Sequence, residues 1–194
     1  MSIKLMILGA GESGVGAAIL AVKEGYSVFV SDAGEIQDKY KSELEEKGIA
    51  FEEGRHSADR ILEADEVMKS PGIPEKSSLV KQIRARGIPV ISEIELAYRH
   101  KGNSRILGIT GSNGKTTTTA LAYHICKHSG LDCAMVGNIG ISIAKQVAED
   151  PKEWYIAEIS SFQLDDISNF RPDIAILTNI TEDHLDRYEY RFEN

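Results

Sequence analysis

Residues 106–119, ILGITGSNGKTTTT, constrain the fold of this chain more than any other stretch. Ile106 to Ile109 predict a short apolar strand, and Thr116 to Cys126 a helix with Leu121, Ala122 and Ile125 on one face. Between them, Gly111-Ser112-Asn113-Gly114 form a loop that folds tightly because glycine tolerates positive φ. A glycine loop joining strand to helix directs several backbone N–H groups into one concavity at the positive end of the helix dipole. That concavity is a cradle for phosphate. Lys115 is placed to reach terminal phosphates, and the hydroxyl of Thr116, followed by Thr117, stands where such loops offer a ligand to Mg²⁺. The general pattern G-x-x-x-x-G-K-[ST] has glycine where this chain has Ile109, so the match is to the shorter T-G-x-x-G-K-T-T. A nucleoside triphosphate is the expected ligand.

A second glycine turn opens the chain. Ile3 to Leu8 read as a buried strand, followed by Gly9-Ala10-Gly11-Glu12-Ser13-Gly14 and a helix to about Glu24, with Asp32 at the tip of a second strand, Ser27 to Ser31. This is the dinucleotide fingerprint G-x-G-x-x-G with an acid about 20 residues on. By itself it allows an NAD-dependent oxidoreductase, since it reports a tight turn near phosphate and not which nucleotide is held. Alternation of helix and strand continues through Lys39–Lys47, Ala50–Glu52, Glu66–Lys69, Ser78–Arg86 and Pro89–Ile91. In such parallel sheets ligands lie outside the carboxyl ends of the strands, which places Ser13, Gly14, Asp32, Ser70 and Gly72 along one edge.

Beyond the phosphate loop, Asp132–Val136, Trp154–Glu158 and Ile174–Leu177 predict three more strands. Their carboxyl ends carry Asn138, Glu158 and the run Thr178 to Tyr188, which includes His184. An acid and a histidine at strand ends near a phosphate loop suit phosphoryl transfer. A net charge of −8 argues against a nucleic-acid partner. Two cysteines, Cys126 and Cys133, read as reduced buried fillers in a cytoplasmic protein. No apolar run approaches membrane-spanning length, and the N-terminus reads as a first strand and not a signal peptide.

TGSNGKTT, GNIG, EISSFQL and NITEDHLDRY together resemble the Mur ligases, and the resemblance runs from GAGESG to DHLDRY. It implies an α/β fold with a Rossmann-like parallel-sheet domain over residues 1–92, followed over 93–194 by the N-terminal part of a P-loop α/β central domain, truncated. Within the family, SSFQL and DHLDRY favour the branch that adds D-glutamate to UDP-N-acetylmuramoyl-L-alanine in peptidoglycan synthesis. The reaction so implied uses ATP and Mg²⁺. The substrate carboxylate takes the γ-phosphoryl group to give an acyl phosphate, and the amine of D-glutamate then displaces phosphate.

By this resemblance Gly111, Ser112, Asn113, Gly114, Lys115, Thr116, Thr117 and Asn179 bind ATP, with Lys115 on the β,γ-phosphates. Thr116 and Glu158 hold one Mg²⁺ and His184 helps bind a second; Lys115, Glu158 and His184 form the catalytic set. Asn138, Ser160, Gln163 and His184 contact the muramoyl and diphosphate part of the substrate, and Ser13, Gly14, Asp32, Ser70 and Gly72 line a uridine diphosphate cleft. The family's carbamylated lysine normally comes shortly after DHLDRY, and no lysine follows Tyr188. The resemblance therefore implies an N-terminal fragment, inactive alone. A non-catalytic UDP-sugar-binding module is the remaining alternative.

Overall fold

The computed structural model describes residues 2–183, 185 and 191. Its first part runs β1 (Lys4–Leu8), α1 (Glu12–Lys23), β2 (Ser27–Ser31), α2 (Asp38–Glu46), β3 (Ala50–Glu52), α3 (Ala58–Ile61), β4 (Glu66–Lys69), α4 (Ser78–Ala85) and β5 (Val90–Ile91). Helix α5 (Glu93–His100) leads to β6 (Arg105–Thr110), α6 (Lys115–His128), β7 (Cys133–Gly137), α7 (Ile143–Glu149), β8 (Trp154–Glu158), α8 (Ser161–Leu164) and β9 (Ile174–Leu177). Two parallel sheets result. One has the order β3-β2-β1-β4-β5 and the other β7-β8-β6-β9. The protein is thus α/β.

In the first sheet the chain grows outward from β1 to β3 and then resumes on the other side at β4. The loops after β1 and β4 therefore border one crevice at the carboxyl edge. In the second sheet the register sets Ile109 beside Glu158, Glu158 beside Gly137, and Thr110 beside Leu177. The loops after β6, β7, β8 and β9 consequently emerge side by side.

Helix α1 joins the two sheets. All residues from Gly14 to Ala21 are buried, because one side lies on the first sheet and the other on α7. A helix covered on both sides must be apolar all round, and the run GVGAAILA is. A single apolar cluster includes Leu5, Ile7, Val15 and Leu20 from the first sheet and its helix together with Val136, Ala144, Tyr155 and Ala157 from the second.

Helix α6 differs from the sequence expectation. Leu121 and Ile125 are 58% and 56% exposed, and the inward face is instead Thr119, Ala122, Tyr123 and Cys126, packed toward Leu107, Ile109, Cys133 and Ile156. These four stand at i, i+3, i+4 and i+7, one face of a helix. A threonine tolerates the deepest position because its Oγ1 donates to the Lys115 carbonyl at 2.9 Å. Helices α3 and α8 were also not anticipated; both have 4 residues.

Candidate functional site

The first glycine loop is held closed from two sides. Asp32 accepts the Ala10 N–H on Oδ2 (2.7 Å) and the Gly34 N–H on Oδ1 (2.8 Å), so this acid ties the loop after β1 to the turn after β2. Gly14 has no room for a side chain, since a Cβ there would overlap the Gly9 carbonyl. Across the crevice, the Ser70 hydroxyl sits 2.7 Å from where a Cβ on Gly9 would lie, buried and without a hydrogen-bond partner among the described residues. Gly72 lies in the same turn, with open space around it. Ser13 stands in the first turn of α1. The structure thus brings Ser13, Gly14, Asp32, Ser70 and Gly72 to one sheet edge.

The second loop follows β6. Gly111 has φ +134° and abuts β9 so closely that a Cβ would meet the Thr178 hydroxyl and the Asn179 backbone. Asn179 clasps the loop: its backbone carbonyl accepts from Ser112 N (3.0 Å), its Oδ1 from Asn113 N (3.0 Å), and its Nδ2 donates to the Asn113 carbonyl (2.9 Å). Gly114 starts α6 with φ 81°. The first-turn N–H groups of an α-helix have no partner within it, and here these belong to Lys115, Thr116 and Thr117. The Lys115 ammonium folds over the loop and donates to the carbonyls of Gly111 (2.6 Å) and Ser112 (2.9 Å). Thr116 and Thr117 are exposed.

Glu158, at the end of β8 next to this loop, is 1% exposed. Its Oε1 accepts from Asn138 Nδ2 at 2.9 Å, its carbonyl accepts from Asn138 N, and its Oε2 is buried with no hydrogen-bond partner among the described residues. The loop after β7 therefore aims the carboxylate. At the start of α8, Ser160 N and Oγ both donate to Gln163 Oε1 (2.9 and 3.1 Å). His184 lies outside the described residues. Among those described, no group of three or more His, Cys, Asp or Glu is placed to hold a metal.

Carboxylates that sequence reasoning passed over lock the two sheets together. Glu93 is 2% exposed, and its Oε1 accepts from Ser142 Oγ and Ala144 N, each at 2.8 Å. Burial pushes its carboxyl above the usual range, opposed by the Ala144 N–H and the Ser142 and Ser13 hydroxyls. Glu95 is fully buried and accepts from the backbone of Ser168, Asn169 and Phe170. Burial raises its pKa, but these N–H donors and the Ser168 hydroxyl outweigh it and bring it to about 2. Lys69, 2% exposed, pairs with Asp166 and Glu75 at 3.1 Å each, and Arg84 closes the network on Asp166 (2.5 Å) and Glu75 (2.9 Å). The available signal was acids interleaved with apolar residues in ISEIELA, a pattern that a solvated helix face does not need.

Two parallel-sheet units, each with a glycine loop at the carboxyl edge of its strands, define an α/β protein. The family pattern described as Mur ligase MurD-like, N-terminal domain matches residues 3–92, and that described as Mur ligase middle domain matches 109–193. This chain belongs to the Mur ligase family. It is 56% identical over 191 residues to the protein named UDP-N-acetylmuramoylalanine--D-glutamate ligase of Bacteroides fragilis, covering 98% of this chain and 43% of that one. Its identity to the protein of the same name in Cytophaga hutchinsonii is 55% over 195 residues, again 43% of the relative. The chain thus spans less than half the length of the curated relatives it matches. Among solved structures, the UDP-N-acetylmuramate:L-alanyl-gamma-D-glutamyl-meso-diaminopimelate ligase of Neisseria meningitides superposes with a TM-score of 0.63 at 24% identity, covering 97% of this chain and 64% of that one. That likeness concerns the fold. Among the described residues no helix is long and apolar enough to cross a membrane.

Proposed function

We propose that the protein carrying this chain is a cytoplasmic, ATP-dependent ligase that adds D-glutamate to UDP-N-acetylmuramoyl-L-alanine through an acyl phosphate. Residues 1–92 form its UDP-substrate domain, and 93–194 the first part of a P-loop ATP-binding domain. The observation that carries this reading is the buried Glu158 carboxylate, aimed by Asn138 and with Oε2 unpartnered among the described residues, one strand from the Gly111–Thr116 loop. An anionic acceptor enclosed without a donor fits a cation. Mg²⁺ favours few protein ligands alongside phosphate oxygens and water, and one carboxylate with the Thr116 hydroxyl is such a set. When bound, Mg²⁺ would neutralise charge between the triphosphate and the substrate carboxylate.

The chain's own residues supply binding and orientation. The N–H groups of Lys115, Thr116 and Thr117 at the start of α6, which have no partner within the helix, suit phosphate oxygens, and the Lys115 ammonium exchanges its two carbonyl partners for them. Asn179 keeps the loop closed from β9, and Asn138 keeps Glu158 oriented. On the other sheet, Ser13, Gly14, Asp32, Ser70 and Gly72 border the UDP cleft. Asp32 already accepts two backbone N–H groups, which favours a role in shaping that cleft over recognition of an NAD ribose. Ser160, Gln163 and, outside the described residues, His184 complete the proposed substrate side.

The test uses the protein at the length of its relatives. Phosphate release from ATP is expected to require both UDP-N-acetylmuramoyl-L-alanine and D-glutamate. Lys115→Ala is expected to abolish turnover while binding of the UDP-linked substrate survives. Equal loss of both refutes the loop assignment. Residues 1–194 alone are expected to bind that substrate weakly and to release no phosphate.

A further inference from the structure

We infer that Glu93 is a positioning residue that fixes the two nucleotide loops relative to each other, by holding Ser142 at the N-terminus of α7, where the loop that orients Glu158 meets Glu12 of the first glycine loop. The inference rests on the ligase reading above, and it concerns a side chain that touches neither proposed ligand.

One buried carboxylate makes the link. Its Oε1 takes both the Ser142 hydroxyl and the Ala144 N–H at 2.8 Å. Ser142 is itself the N-cap of α7, accepting from Lys145 N at 3.1 Å. A second carboxylate reinforces it: Glu12 Oε1 accepts from Ser142 N (3.3 Å), while its Oε2 is held by Tyr40 Oη (3.2 Å). Two acids from the first sheet's side therefore meet the positive end of α7. The approach is close enough that a Cβ on Gly16 would overlap the Ser142 hydroxyl.

From Ser142 to Asn138 the chain has no slack. Gly137 N donates to the Ile141 carbonyl at 3.0 Å, and Asn138 N to the Glu158 carbonyl at 2.9 Å. A shift of Ser142 is transmitted to Asn138, and from its amide to the Glu158 carboxylate. Release of Glu93 thus loosens Ser142 and lets the first glycine loop, at Glu12, and the Glu158 carboxylate drift apart while each keeps its own fold. Reactions between two bound groups lose about 100-fold in rate for roughly 1 Å of misplacement.

The test measures steady-state ligation by the full-length protein and its Glu93→Ala, Glu93→Gln and Ser142→Ala variants. Glu93→Ala and Ser142→Ala are expected to lower kcat by about 10- to 100-fold, with KM for ATP and for the UDP-linked substrate changed less than about threefold. Glu93→Gln keeps an acceptor for Ser142 and Ala144 and is expected to recover most of the loss. Should Glu93→Ala not fold, Ser142→Ala decides. Wild-type kcat in Ser142→Ala, or KM values that rise in step with the fall in kcat, overturn the inference. Absence of ligation by the wild-type protein refutes the ligase reading itself.

Discussion

Replacing Glu95 by glutamine should remove a pH-dependent share of this chain's stability. The carboxylate accepts from Ser168 N, Asn169 N and Phe170 N at 3.0, 3.0 and 2.8 Å, from Ser168 Oγ and Asn169 Nδ2 at 3.0 and 3.2 Å, and from Arg99 Nε at 3.1 Å. Every partner is a donor, and Gln would turn an NH₂ toward some of them. The carboxyl falls from its ordinary 4.5 to about 2 in the folded chain. That difference corresponds to about 3 kcal/mol at neutral pH. A depressed pKa stabilises above the unfolded value, so the contribution is complete above pH ~5 and disappears as pH falls toward about 2. Urea denaturation of wild type and Glu95→Gln across this range measures it. At pH 7 the variant should be less stable by at least about 3 kcal/mol, and the gap should narrow by about 2 kcal/mol by pH ~3 and by about 3 kcal/mol by pH ~2. A gap that stays constant with pH, or none at pH 7, would refute the account of Glu95 as an ionised carboxylate clasped by the 168–170 backbone.

Lys69→Met should cost about 3 kcal/mol in the same denaturation assay, because Asp166 and Glu75 lose a buried cation and, among the described residues, retain Arg84 alone as an ion-pair partner. Stability within ~0.5 kcal/mol of wild type would show that Arg84 alone neutralises both. Gly111→Ala should lower ATP affinity at least about tenfold, since a Cβ at φ +134° has no room beside Thr178 and Asn179 and the loop must open. Isothermal titration with ATP and Mg²⁺ measures this; unchanged affinity would place the triphosphate elsewhere.

Much of the architecture was legible because it depends on neighbours in sequence. Buried parallel strands such as KLMIL and RILGIT are apolar runs closed by glycine turns, and both glycine loops declare themselves by composition. The phase of α6 was not legible, because the helix carries apolar side chains on two faces and only the loop before it decides which turns inward. Helix α8 left a readable sign: Ser160 followed three residues later by Gln163 is a capping box. The acids on α5 were obscure for a different reason. Glu93 and Glu95 are buried only because Ser142, Ala144 and the 168–170 backbone, some fifty to seventy-five positions away, arrive to donate to them. A charged residue's burial is a property of its partners, and local patterning does not record who they are.

The glycine at position 16 has a consequence for how this protein can vary. Because Ser142 occupies the space its side chain would need, a change on one helix must be tolerated by the other. The first-sheet module cannot be exchanged for that of a cousin without bringing along its matching helix, so the two must drift through sequence space as a pair.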